Sequence, residues 1–326
     1  MRTWWLLFLG LWLPAAAGER YHLIRPMQYS GMADASGAVA VSSNLFVAAD
    51  DEDNTLRLYR SDQPGPPLKE FDCNAFLEVT GRFPEADLEA GARLGDRAFW
   101  IGSHGRNRSG KERTNRCRLF ATDIQVAGDQ VTLTPAGKPY KSLLDDLIND
   151  SRFDRFHFAA AALRIPKERD ALNIEGLSGT AEGRLLIGFR NPVPDGKALL
   201  IPLLNPNRVI EGERARLGDA ILLDLDGLGI RDIAFYNGVF VIIAGPYDGG
   251  FPFHLYLWDG RSSSPKRLKI NHLNRYHPEA LVIYPEMGLK QIQILSDDGK
   301  QVRDGVIQHE LPFPQRTFRS FWVKDY

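Results

Sequence analysis

The chain of 326 residues carries 40 Lys plus Arg against 41 Asp plus Glu, with 44% hydrophobic and 25% charged residues. That near-neutral balance gives no footing for nucleic-acid binding, and the composition is that of an ordinary globular protein. No stretch beyond the N-terminus approaches the ~20 apolar residues of a membrane span. The 2 cysteines cannot by themselves build a Cys-rich zinc site.

The chain opens on a charged Arg2, an apolar run from Trp4 to Leu13 and the small residues Ala15 to Ala17. This is the pattern of a secretory signal peptide cut after Ala17, which predicts a periplasmic or secreted protein. With no Cys near the cut, lipoprotein anchoring is not expected. In an oxidising compartment Cys73 and Cys117 could pair or stay free, because spacing does not settle their geometry.

Downstream, one pattern recurs five times. An acidic residue opens a short small-residue strand, a turn follows, and an apolar strand ends in polar, Gly or Pro residues. The acidic markers are Asp34, Glu89, Glu175, Asp232 and Glu279. Their matching strand ends are Asp50-Asp51, His104 to Asn107, Arg190-Asn191, Tyr247-Asp248 and Asp297-Asp298. The clearest unit is NIEGLSGTAEGRLLIGFRNP (173–192), a hairpin turning over Thr180 to Gly183. Third strands are predicted over 55–60, 116–124, 197–204 and 253–260. Between Glu89 and Glu175 the interval is long, and Ser142 followed by LLDDLINDSRF reads as a capped helix.

A repeat of about 50 residues with four strands predicts a β-propeller. Residues 18–326 are read as one all-β domain of five blades, with six as the alternative and a short helical insertion near 142–155. YHLIRPM (21–27) is expected to form the outer strand of the last blade beside FRSFWVK (318–324), closing the ring.

In an antiparallel hairpin the start of the first strand and the end of the second share one rim. The five acidic markers are therefore expected to ring one mouth of the channel. Like charges so close need compensation: Ca²⁺ could sit among them, or backbone N–H groups and Arg93, Arg190 or Arg231 could neutralise them. Metal ligands, if present, are Asp34, Glu89, Glu175, Asp232 and Glu279. Arg106, Arg190, Asn191, Asp248 and Asp297 on the same rim are candidates for holding a small anionic or polyhydroxylated ligand, or a protein. His104 is the acid–base candidate. His157, His254, His272, His277 and His309 are scattered, without metal-ligand spacing. Three motifs fail: Gly105 to Lys111 lacks the Ser/Thr of a phosphate loop, Gly176-Leu-Ser178-Gly is not a nucleophile elbow, and Asp224-Leu-Asp226-Gly227 is an incomplete calcium loop.

Segments 174–206, 227–248 and 277–299 resemble a bacterial family of secreted proteins known only as a domain of unknown function. The E-G-L before an apolar strand (175–177) is also similar to the esterase-like phytases, which are propellers, and to calcium-dependent lactonases. The resemblance implies a propeller and transfers no catalytic residue. Two functions are therefore carried: a ligand- or protein-binding module using the channel mouth, or a Ca²⁺-assisted hydrolase of phosphate esters, esters or lactones. In the second, Arg190 and Arg106 would bind the anion and His104 would move the proton.

Overall fold

A computed structural model describes residues 21–128 and 130–325. The expected signal peptide lies outside the described residues. Strand β1 (Tyr21–Ser30) comes first and joins the last blade. Blade 1 is β2 (Ala35–Ala40), β3 (Leu45–Asp50), β4 (Thr55–Arg60) and β5 (Lys69–Asp72). Blade 2 is β6 (Leu88–Leu94), β7 (Arg97–Gly102), β8 (Leu119–Ala127) and β9 (Gln130–Tyr140). Blade 3 is β10 (Asn173–Gly179), β11 (Leu185–Asn191), β12 (Ala198–Leu203) and β13 (Ile221–Leu223). Blade 4 is β14 (Gly229–Tyr236), β15 (Val239–Gly245), β16 (His254–Trp258) and β17 (Lys266–Arg267).

Blade 5 is composite. Strands β18 (Pro278–Val282) and β19 (Gln291–Ser296) are followed by a small hairpin, β20 (Val302–Arg303) and β21 (Val306–Ile307). The chain then returns as β22 (Thr317–Asp325), and β1 pairs with it from Tyr21↔Asp325 to Ser30↔Thr317. Both ends of the described chain thus complete one sheet, as the two flanking segments predicted.

Five blades, rather than six, make the ring. Their inner strands β2, β6, β10, β14 and β18 touch in succession, and β18 meets β2 to close it. One apolar cluster fills each of the five seams. Between blades 5 and 1, Tyr29 stacks on Phe318 at 5.2 Å and Phe46 on Tyr59 at 5.5 Å. With both faces covered, strands such as LFVAAD and LLIGFRN are buried at every position. That is why they read as continuous apolar runs rather than alternating ones.

Near the axis the backbones crowd, and small residues follow from that. A Cβ on Gly37 would stand 2.8 Å from the Ala90 backbone, and one on Gly176 would stand 2.7 Å from Ile230 Cγ2.

The insertion after blade 2 is helical at Leu143–Asn149, then turns tightly through Ser151–Phe156 and Phe158–Ala161. The Ser142 hydroxyl makes no capping bond. Asp146 instead takes the Tyr140 hydroxyl and the Arg214 guanidinium, whose Nε lies 2.9 Å away. The helix is thereby sewn to the edge of blade 3. Phe153, Phe156 and Phe158 extend the seam between blades 2 and 3. Cys73 and Cys117 are both free thiols.

Candidate functional site

Every inner strand begins with the same irregularity. Pairing to the second strand slips by one residue at Ala35/Gly37, Leu88/Ala90, Ile174/Gly176, Ile230/Asp232 and Pro278/Ala280. The extra residues are Ser36, Glu89, Glu175, Arg231 and Glu279. A bulge interrupts the alternation of faces and re-aims a side chain. The expected ring of five carboxylates is corrected accordingly: equivalent positions hold three Glu, one Ser and one Arg. Asp232 lies one residue past its bulge. Its carboxylate accepts the Ile233 and Leu281 N–H groups, both at 2.7 Å, and ties blade 4 to blade 5.

On the side of blades 3 to 5 the charges cancel. Arg231 Nε lies 2.9 Å from Glu279 Oε2 and 3.0 Å from Glu175 Oε2. Glu175 also takes Arg190 and the Asn173 amide, the latter at 2.6 Å. The rest of the Arg190 guanidinium donates to the Tyr247 carbonyl at 2.9 and 2.7 Å. Two carboxylates and two guanidiniums are buried together, and each charge meets its opposite within the group. Burial still lifts the Glu279 carboxyl to about 7, against the opposing pull of Arg231.

The predicted ligand-binding residues on the rim are mostly occupied by backbone. Asn191 Nδ2 donates to Pro166 O at 2.8 Å and Glu168 O at 2.7 Å, pinning the tail of the insertion. Arg106 donates to Ala162 O at 2.9 Å and Gly110 O at 3.0 Å. Asp248 accepts the Gly250 N–H at 3.0 Å within its own turn. His104 Nδ1 donates to Gly102 O at 2.8 Å, and burial pushes the imidazole down to about 4, so it is neutral near pH 7. The loop after Gly105 holds no phosphate cradle either: Asn107 Oδ1 takes the Ser109 N–H at 3.1 Å and the Lys111 N–H at 2.8 Å.

The side of blades 1 and 2 differs. Carboxylate oxygens of Asp51, Asp87 and Glu89 lie within 4.8 Å of one another, as do those of Asp34, Asp50 and Asp51. Asp51 is common to both triads. Among the described residues only Asp87 of this group has a close guanidinium, Arg116 at 2.6 Å. Arg57, whose charge pulls on Asp50, is held by Asp53 and Glu70. Burial followed by mutual repulsion lifts Asp34, Asp51 and Glu89 well above the usual carboxylate range. The same forces take Asp50 to about 7, and burial takes Asp87 to about 6 against the pull of Arg116. Asp34 Oδ2 and Asp51 Oδ1 are buried without a hydrogen-bond partner.

Asp297 faces Asp34 across an isolated bridge. Burial opposes its ionisation, but Asp34, Lys300 and Arg231 hold it below the ordinary range. Sequence reasoning missed Asp87, which precedes its strand, and set aside His309, whose Nδ1 approaches Asp34 and Glu52. The Asp50-Asp51 doublet at a strand end was the one local signal.

Several solved structures are similar to this chain at low identity. A glutaminyl cyclase from Myxococcus xanthus is 14% identical, covering 95% of this chain and 99% of its own, with a TM-score of 0.47. A putative oxidoreductase (glucose dehydrogenase) from Thermus thermophilus is 14% identical over 92% and 99%, with a TM-score of 0.46. The Aleuria aurantia lectin is 11% identical over 85% and 70%, at 0.34. Among curated protein sequences none matches. Residues 123–284, which run from blade 2 to blade 5, match the model of a family described as Protein of unknown function (DUF3616).

Proposed function

We propose that this chain is an exported binding propeller that holds a hard divalent cation, Ca²⁺ by preference, at the acidic side of its channel mouth. Asp51 is the central ligand, with Asp87 and Glu89 beside it and Asp50 close by. One observation carries the reading: Asp51 belongs to two carboxylate triads, yet one of its oxygens is buried without a partner. Without a cation such a group must hold protons, and its members repel one another. A Ca²⁺ ion takes six to eight oxygens and relieves both problems, with water and backbone filling the rest.

Glu175 and Glu279 are poor ligands in this reading, because Arg231 and Arg190 already claim them. The bound ion would present open positions to the channel, where an anionic or polyhydroxylated ligand can complete its shell. Hydrolysis draws no support from His104, whose neutral ring is tied to Gly102. Among the described residues no helix is long and apolar enough to cross a membrane.

The test is a thermal melt of chelator-treated protein with and without Ca²⁺. At free calcium about 100 times Kd, binding to the native state alone adds ~2.7 kcal/mol and raises the melting temperature. An unmoved melting temperature with no calcium heat in calorimetry would overturn the reading.

A further inference from the structure

We propose that Asp34, Glu52 and His309 form a second metal site, for a first-row transition ion of the Zn²⁺ class. Asp34 also borders the Asp50 and Asp51 carboxylates, and this site adds Glu52 and His309 on its other side. His309 Nδ1 lies 2.7 Å from Glu52 Oε1 and 3.2 Å from Asp34 Oδ2. Despite those distances, Nδ1 and Asp34 Oδ2 are both buried atoms with no hydrogen-bond partner. Asp34 itself is only 3% exposed. One imidazole nitrogen and two carboxylate oxygens thus converge on one point, the arrangement a shared cation would take.

The surroundings hold these groups in place. His309 lies on the segment leaving blade 5 after β19. Its N–H donates to Gly299 O at 3.0 Å, and its carbonyl takes Arg316 Nη2 at 2.7 Å. The Gly299 N–H holds Asp34 Oδ1 at 3.1 Å, which leaves Oδ2 for the site. Arg316 takes Glu52 Oε2, which leaves Oε1. Such outer contacts orient metal ligands. Gly299 completes the cradle: a Cβ there would lie 2.3 Å from Asp34 Oδ1 and 2.4 Å from His309 Cε1.

The donor set decides the ion. One imidazole with two carboxylates suits Zn²⁺ and its neighbours, whereas Ca²⁺ takes oxygens alone. Ligand bonds of ~2.0–2.1 Å set a tetrahedral edge of roughly 3.3 Å, close to the His309–Asp34 separation and about 0.6 Å beyond the His309–Glu52 one. Three protein ligands leave the fourth position to water.

The experiment titrates the chelator-stripped full chain with Co²⁺, read by its visible absorption, and displaces it with Zn²⁺. The proposal expects one Co²⁺ with tetrahedral-type bands and at least tenfold weaker binding in His309→Gln and Gly299→Ala. Absent bands, or equal binding in His309→Gln, would show a plain imidazolium–carboxylate contact and overturn it. Should the variants fail to fold, nitrogen NMR of the unmutated chain decides. Zn²⁺ must shift the His309 ring nitrogens, and unmoved resonances reject the site.

Discussion

The two sides of the channel mouth start from the same backbone device and reach opposite electrostatic outcomes. On blades 3 to 5 the bulges place Glu175, Arg231 and Glu279, and Arg190 makes the charges even. On blades 1 and 2 the bulges place Ser36 and Glu89, while Asp34, Asp50, Asp51 and Asp87 crowd in from the strand ends. A buried carboxylate is structural where a guanidinium meets it. The proposed calcium site lies where guanidiniums are few, with Arg116 on Asp87 alone.

Arg231→Met should have the largest effect, because it leaves Glu175 and Glu279 buried without their shared partner. Breaking such a pair costs about 3–5 kcal/mol, read as a fall in the denaturant midpoint. A loss under about 1 kcal/mol would mean that the balanced side is not balanced by Arg231. Next comes Gly37→Val, which drives a side chain into the Ala90 backbone near the axis. Overpacking of this kind costs about 1–3 kcal/mol, and an unchanged midpoint would contradict the tight ring. Arg106→Ala should cost roughly 1.5–3 kcal/mol, by freeing carbonyls held by a charged donor, and should leave calcium affinity unchanged. A calcium affinity that fell with it would return Arg106 to the binding site.

The acidic side also fixes a pH dependence. A carboxyl whose pKa is higher folded than unfolded contributes fully below its unfolded value, and the contribution is lost as pH rises through the folded one. Asp87 at about 6 and Asp50 at about 7 therefore make the calcium-free protein lose stability from about pH 4 to about pH 7. Saturating Ca²⁺ should flatten that slope, as followed by melting temperature across the range. An identical slope with and without the ion would separate the carboxylates from calcium.

Much of the fold was legible because each blade is a local hairpin with its own turn chemistry. Thr180 and Gly183 mark one such turn, and YHLIRPM beside FRSFWVK marked the closure. The ring of carboxylates was legible only in outline. A bulge leaves no residue signature, and a one-residue slip exchanges the two faces of a strand. Arg231 therefore took the place expected of Asp232, and Ser36 that expected of Asp34. His309 gave no signal either. It meets Glu52 and Asp34 across the seam where blade 5 closes on blade 1.

Calcium calorimetry on Asp51→Asn and Glu175→Gln, run side by side, tests the central claim most directly. Removing the shared ligand on the acidic side should weaken binding at least tenfold, whereas the Arg-paired Glu175 should be replaceable with little change in Kd. Equal losses from both, or none from Asp51→Asn, would contradict the division of the mouth into a neutral and a cation-binding side.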